Sequence, residues 1–254
     1  MSRHLRQSGG SDRAPARSVP VSLCGHPGLW RIPKSSIHVV TAENRTLYQD
    51  SLEASFRLRH HVYVKERGWE AFRKRDEREI DAYDTEDTVY LFVLEDGSRR
   101  LIGCTRLLPT VKARPLREFT GLTGDYDLPR SPSIYHFSRC IVASERRGGI
   151  AVNALTMFLR AGVQEFCLAE EIEQLSILMP VALLPVYLEL GWNPQPLGLP
   201  EILWGASCVV ATLDVSEVAL AKMRRVGGIA GSVLIRRGIT RPIVPSAAIS
   251  KHLC

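Results

Sequence analysis

The stretch from Ile134 to Ala169 constrains the fold most. Residues 134–142 read as a strand, Gly148-Gly149 mark a turn, and residues 150–169 have the spacing of a long amphipathic helix. A buried strand at 175–179 and a helix over 181–190 follow. Gly191-Trp192 opens a further strand, and residues 207–214 form the last one. Upstream, residues 37–40 are a short β-branched strand and residues 43–66 are helical. Residues 88–94 and 100–108 are two strands flanking Asp96-Gly97, a hairpin signal. Residues 111–133 are broken by Pro115, Gly121, Gly124 and Pro129, with one short helix near Arg117. This order predicts an α/β fold, a mixed twisted sheet with helices on both faces. No internal repeat is present.

At 254 residues and 45% hydrophobic, the chain can bury one sizeable core. No apolar run approaches the roughly 18 residues that a membrane helix needs, and no apolar segment follows the basic start as in a secretory signal. The reading is a cytoplasmic protein with no membrane partner. The net charge of +6 is uneven: residues 1–36 carry +5, residues 218–254 carry +7, and the middle carries −6. Basicity confined to the two ends argues against a nucleic-acid partner, and the acidic centre suits a cationic or amine ligand. The chain divides into a disordered basic extension (1–36), a folded domain (37–217) and a basic tail, partly ordered at most (218–254). The six cysteines include no CxxC pair and no accompanying His cluster, so neither a metal site nor a disulfide framework is expected.

Two segments carry chemistry. Between the strand at 134–142 and the helix after it stand Arg146, Arg147, Gly148 and Gly149. Glycines allow close backbone approach, and the unpaired N–H groups of a first helical turn, with adjacent arginines, suit a pyrophosphate. The turn resembles the coenzyme A turn of the Gcn5-related acetyltransferase fold. The second segment is a charged loop over 67–87. Arg59 and Tyr63 precede it, i,i+4 on one helix face. Trp69, Glu79, Asp81 and Asp84 lie within it, and together they suggest an acidic pocket with an aromatic wall for a sulfonium or ammonium ligand. Arg106 sits inside an apolar strand and needs an anionic partner, which Asp81 or Asp84 offers. On the strand at 134–142, His136 and Ser138 should face one way, Phe137 and Arg139 the other.

Taken in order, these residues resemble the acyl-homoserine lactone synthase (autoinducer synthase, LuxI-type) family. The match runs through Arg59-x3-Tyr63-x5-Trp69, Glu79-Ile-Asp81-Ala-Tyr-Asp84, Tyr90, Gly103-Cys-Thr-Arg106-Leu-Leu-Pro-Thr110 and Phe137-Ser138-Arg139. The resemblance implies a fold related to the Gcn5-type acetyltransferases. It also implies N-acylation of S-adenosylmethionine by an acyl thioester, then lactone closure with release of methylthioadenosine. Substrates alone are then needed, with no further cofactor and no metal. It places Glu79, Asp81, His136, Ser138 and Arg139 in the chemistry, with His136 and Glu79 as candidate bases. Arg59, Tyr63, Trp69, Asp84, Arg106 and Phe137 are implied to bind or frame substrate. Arg146, Arg147, Gly148 and Gly149 are implied to meet the phosphopantetheine.

Two departures stand out. Tyr63 replaces the usual Phe, and His136 stands where the family has Glu. The segment Gly191-Trp-Asn-Pro-Gln-Pro-Leu-Gly-Leu-Pro200 resembles a subgroup that uses branched or aromatic acyl-coenzyme A. That donor is therefore expected ahead of an acyl-carrier protein. Met179-Pro-Val-Ala-Leu-Leu-Pro185 lacks the glutamate and paired tryptophans of that subgroup, so the acyl pocket should differ. A generic acyl-coenzyme A N-acyltransferase with another amine acceptor, and a catalytically impaired binding homologue, remain as alternatives.

Overall fold

The computed structural model describes residues 34–116, 122, 130–146 and 154–240, with the Arg146 side chain excepted. A nine-stranded mixed sheet organises them. The strands are β1 (Ser35–Val40), β2 (Val89–Glu95), β3 (Leu101–Pro109), β4 (Ile134–Val142), β5 (Gln174–Pro180), β6 (Gln195–Pro196), β7 (Glu201–Leu203), β8 (Ala206–Asp214) and β9 (Leu234–Ile235). Their order is β6-β8-β5-β4-β3-β2-β1-β9, with β7 paired to β8. The helices are α1 (Gln49–His60), α2 (Ala154–Ala169), α3 (Leu184–Glu189) and α4 (Glu217–Gly227).

Strand β2 shows why both faces of the sheet are covered. Val89, Leu91 and Val93 enter the main core with α2, while Tyr90, Phe92 and Leu94 join Tyr48, Val62 and Tyr63 on the α1 side. The alternation is apolar on both faces, as a sheet sandwiched between helices requires. The hairpin predicted at Asp96-Gly97 forms, with β2 and β3 antiparallel.

Two expectations need correction. The helix predicted over 43–66 is a 3-10 turn at Arg45–Tyr48, then α1, then a π-helical turn at His61–Glu66. The Arg67 N–H donates to the Val62 carbonyl at 3.2 Å. Such wide turns re-aim side chains and favour functional positions, and this one carries Tyr63. No strand opens at Gly191-Trp192. Gly191 has φ 82° and turns the chain, and Trp192 is a fully buried core residue. Pro194 and Pro196 lack the N–H that a regular strand would use, and only Gln195–Pro196 pairs with β8. The boundary expected at 217/218 falls inside α4. Ser216 caps that helix by accepting from the Ala219 N–H at 3.1 Å. Gly228, at φ 64°, ends it, with the Ile229 N–H returning to the Arg224 carbonyl. The chain then adds β9 parallel to β1. Apolar positions at helical spacing (Ala219, Leu220, Met223) bury this segment, and Arg224 pairs with Glu165 of α2 at 3.0 Å. At the other end β1 begins at Ser35, inside the stretch expected to be extension.

Two irregularities in β4 shape the site. Cys104 pairs with Ile141 and Arg106 with Ser138, so Thr105 faces two residues of β4, a β-bulge. Arg139 takes the extra position at φ 57°, a left-handed conformation unusual for a non-glycine residue. In addition, β4 pairs in parallel with β5 only from Ile134↔Gln174 to His136↔Ser176. Beyond that point β4 stays with β3 and β5 with β8, so the two central strands part.

Candidate active site

On the α1 face, three arginines and three carboxylates from four elements form one network. Arg59 of α1 donates to Glu79 at 2.5 Å, and to both Asp84 oxygens at 2.8 Å. Arg106 of β3 donates to Asp81 at 2.7 and 3.0 Å, to Asp84 at 3.0 Å and to Ser138 Oγ at 3.2 Å. Arg139 donates to Glu79 at 2.8 and 3.1 Å and to Asp81 at 2.8 Å. The Tyr90 hydroxyl and the Asp81 N–H both donate to Asp84 at 2.9 Å. The bulge explains Arg139: its extra residue turns the side chain onto the network side. Phe137 instead faces the main core, stacked on Trp192 at 5.9 Å.

The charges balance, so the acidic pocket expected from sequence is a neutralised cluster. Burial alone would raise the Glu79 carboxyl, but the charges of Arg59 and Arg139 outweigh it and hold it below the usual range. Burial likewise opposes ionisation of Asp84, and hydrogen bonds and charge from Arg59, then Arg106, hold it well below that range. Asp81 is the carboxylate left open, 25% exposed against 2% for Glu79 and 0% for Asp84. A cationic ligand reaching this network therefore meets Asp81.

His136 stands where β4 and β5 part, its Nδ1 3.1 Å from Ser176 Oγ. Burial, then the charges of Arg106 and Arg139, lower its pKa to about 3. It is a neutral hydrogen-bonding group at physiological pH. Neither candidate base has a base's environment: Glu79 is committed to two guanidiniums, and His136 resists a proton.

An aromatic wall closes one side. Trp69 stacks on Tyr63 at 5.1 Å and on Trp204 at 4.7 Å, with Phe72 tilted against both tryptophans. Arg139 lies over Tyr63 and Phe72, and Arg67 over Tyr63 and Trp69. Sequence reasoning missed Phe72 and Trp204. Trp204 and Gly205 (φ 50° and 79°) form the two-residue turn between β7 and β8, the geometry of a type I′ hairpin. Gly205 was the available signal, but nothing local tells where the turn lands. Cys104, Cys167 and Cys208 are buried free thiols, and burial pushes Cys104 up to about 12. Of the phosphate turn, Arg147, Gly148 and Gly149 lie outside the described residues, as does the side chain of Arg146, whose backbone ends a 3-10 turn begun at Ser144. Among the described residues, no helix is long and apolar enough to cross a membrane, and no group of three or more His, Cys, Asp or Glu is placed to hold a metal ion.

Known proteins resemble this chain in sequence and fold. Residues 43–223 match the autoinducer synthase family. The chain is 45% identical to an isovaleryl-homoserine lactone synthase of Bradyrhizobium diazoefficiens, over 72% of this chain and 82% of that one. It superposes with TM-score 0.77 on a solved CoA-dependent acyl-homoserine lactone synthase, BjaI, with SAM and isopentyl-CoA, at 40% identity over 83% of this chain and 97% of that one. An acyl-CoA N-acyltransferase from Pseudomonas aeruginosa, 17% identical over 70% of this chain and 98% of that one, shares the fold at TM-score 0.50. The sheet with parted central strands, the arginine–carboxylate network and these likenesses lead to one conclusion: the chain belongs to the autoinducer synthase family.

Proposed function

We propose that the protein is a cytoplasmic acyl-homoserine lactone synthase that takes its acyl group from an acyl-coenzyme A, in preference to an acyl-carrier protein. The observation that carries this is the adjacency of two features. The parting of β4 from β5 beyond His136 offers a slot for a thioester, and Asp81, the open carboxylate of the network, lies beside it through Arg106 and Arg139. The relative solved with SAM and isopentyl-CoA supports the choice of both substrates.

The amine of S-adenosylmethionine attacks the thioester carbonyl, forming the amide and releasing the thiol. Its carboxylate then attacks the carbon beside the sulfonium, closing the lactone and releasing methylthioadenosine. Asp81 attracts the cationic substrate, and the wall of Tyr63, Phe72, Trp69 and Trp204 borders it. Arg146, Arg147, Gly148 and Gly149, which precede α2 in sequence, receive the pantetheine phosphates. An α-amine has a pKa of roughly 7.7–8.0, so a fraction of it is already neutral near pH 7. The amine thus arrives deprotonated in useful amount, and the site orients it. Ser138 and neutral His136 shape the space between donor and acceptor.

Mass spectrometry of products from purified protein, S-adenosylmethionine and a panel of acyl-coenzyme A and acyl-carrier-protein donors tests this. Lactone and methylthioadenosine in equal amounts, formed faster from coenzyme A esters, are the expected products. An acylated amine without methylthioadenosine would assign the protein to the general N-acyltransferases instead.

A further inference from the structure

One buried cation plays no part in the network. Arg160 lies in the second turn of α2 and is 4% exposed. Its guanidinium sits over the Tyr187 ring, 4.8 Å from the centroid. Its charge and a hydrogen bond act on the Tyr187 phenol, and its charge acts on the Cys140 thiol. Its Nε and Nη1 are buried without a hydrogen-bond partner, and among the described residues no carboxylate pairs with it. The contrast with Arg59 and Arg106 is sharp, since each of those is held by two carboxylates. Leaving two guanidinium nitrogens dry, with no carboxylate beside the charge, is costly.

A second orphan lies alongside. Trp192 is fully buried, and its Nε1 has no acceptor. Its ring meets Tyr187 edge-on at 5.5 Å and stacks on Phe137. Three unpartnered donors therefore gather about Tyr187. The place in the fold is informative. Phe137 and Cys140 belong to the part of β4 that has left β5, and α3, which carries Tyr187, follows β5 closely. The cluster borders the same parting of strands as the ion network, but from the opposite face of the sheet. A thioester carbonyl attacked by an amine must lie near the network. The group that extends to Arg160 is then the far part of the acyl chain.

We propose that Arg160 is a specificity-determining residue that receives an acceptor oxygen (hydroxyl, keto or carboxylate) carried by the acyl group of the donor, with Tyr187, Trp192 and Phe137 enclosing that group. This rests on the reading of the protein as an acyl-thioester-using synthase. A plain hydrocarbon chain leaves Nε and Nη1 of Arg160 without an acceptor, whereas an oxygen at that depth gives them one. Sites built to bond a polar substituent discriminate strongly against the analogue that lacks it.

The test uses full-length protein and coenzyme A esters in matched pairs: butyryl with 3-hydroxybutyryl, isovaleryl with 3-hydroxyisovaleryl, cinnamoyl with 4-hydroxycinnamoyl, and valeryl with glutaryl. Lactone formation gives kcat/KM for each ester, and titration calorimetry gives its affinity without turnover. The wild-type protein should favour the oxygenated member of at least one pair by about tenfold or more. Arg160→Met should abolish that preference while keeping activity on the plain esters. Equal affinity and equal kcat/KM within every pair, or a wild-type preference for the plain ester throughout, would overturn the proposal. So would an Arg160→Met protein that loses all esters alike while folded. Discrimination in calorimetry with no lactone from any donor would instead overturn the proposed reaction and leave the oxygen-binding role of Arg160 standing.

Discussion

Arg59 grips Asp84 with two parallel hydrogen bonds, Nη1 to Oδ1 and Nη2 to Oδ2, each 2.8 Å long and shielded from water. The pair joins α1 to the loop that carries all three carboxylates, and Arg106 and Tyr90 converge on the same Asp84 oxygen. Asp84 thus organises the site without being its exposed end, while Asp81 faces outward from a frame already fixed.

Removing Asp84 should therefore act first on stability. Asp84→Ala leaves Arg59 buried with only Glu79 and deprives Arg106 of one partner, at a cost of about 3–5 kcal/mol. Asp81→Asn keeps an acceptor oxygen for Arg106 and Arg139, so it should destabilise less, by about 1–3 kcal/mol, and lower kcat/KM. Urea unfolding and steady-state rates on both variants check this. A stable, inactive Asp84→Ala protein would reverse the two roles.

His136 gives a pH signature. Its pKa is lowered from 6.5 to about 3 on folding. The unfolded chain therefore takes up a proton that the native state refuses as pH falls below 6.5. Stability is complete above 6.5 and declines toward pH 3 by roughly 1.4 kcal/mol per pH unit from this group. The depressed carboxylates of Glu79 and Asp84 add their own loss only lower, below the ordinary carboxylate range. His136→Gln should flatten the decline between pH 6.5 and 4.5 in denaturation curves. If the variant tracks the wild type there, the imidazole titrates normally and could still serve as a base.

The packing of α2 on β1 depends on a missing side chain. A Cβ at Gly162 would lie 2.4 Å from Ile37 Cδ1, and Ile37 is fully buried. Gly162→Ala should destabilise by about 1–3 kcal/mol through overpacking, despite the gain in helix propensity. Adding Ile37→Val removes the clashing methyl and should restore most of the loss. A double variant no better than the single one would place the strain elsewhere.

Trp204 reports on the aromatic wall. Trp204→Ala removes the stacking partner of Trp69 and should cost about 0.5–1.5 kcal/mol. It should also shift the remaining tryptophan emission to longer wavelength and raise the KM for S-adenosylmethionine. An unchanged KM with the spectral shift intact would limit the stack to holding the β7–β8 turn in place.

Much of this site was legible before the structure because its parts are local. Arg59 and Tyr63 share a helical stretch, Asp81 and Asp84 share one loop, and an arginine inside the apolar run of β3 demanded an acid. The acids were readable but their neutralisation was not, since that depends on three cations from α1, β3 and β4 arriving together. The facing of Arg139 was misjudged for a related reason. Strict alternation puts it with Phe137, and a single bulge residue reverses that.

The sequence by itself determined the repeating parts: which stretches are strands or helices, which faces are apolar, and the order of the family's motifs. These follow from periods of two and 3.6 residues and from side-chain chemistry, which act over a few neighbours along the chain. Only the tertiary structure decided that β4 leaves β5 after His136, that Trp204 reaches Trp69, and that Nε and Nη1 of Arg160 and Nε1 of Trp192 are left near Tyr187 without an acceptor. Each of those is a meeting of segments distant in sequence. Such meetings are fixed by how a whole sheet and its helices fill space together, and no short window of residues contains that information.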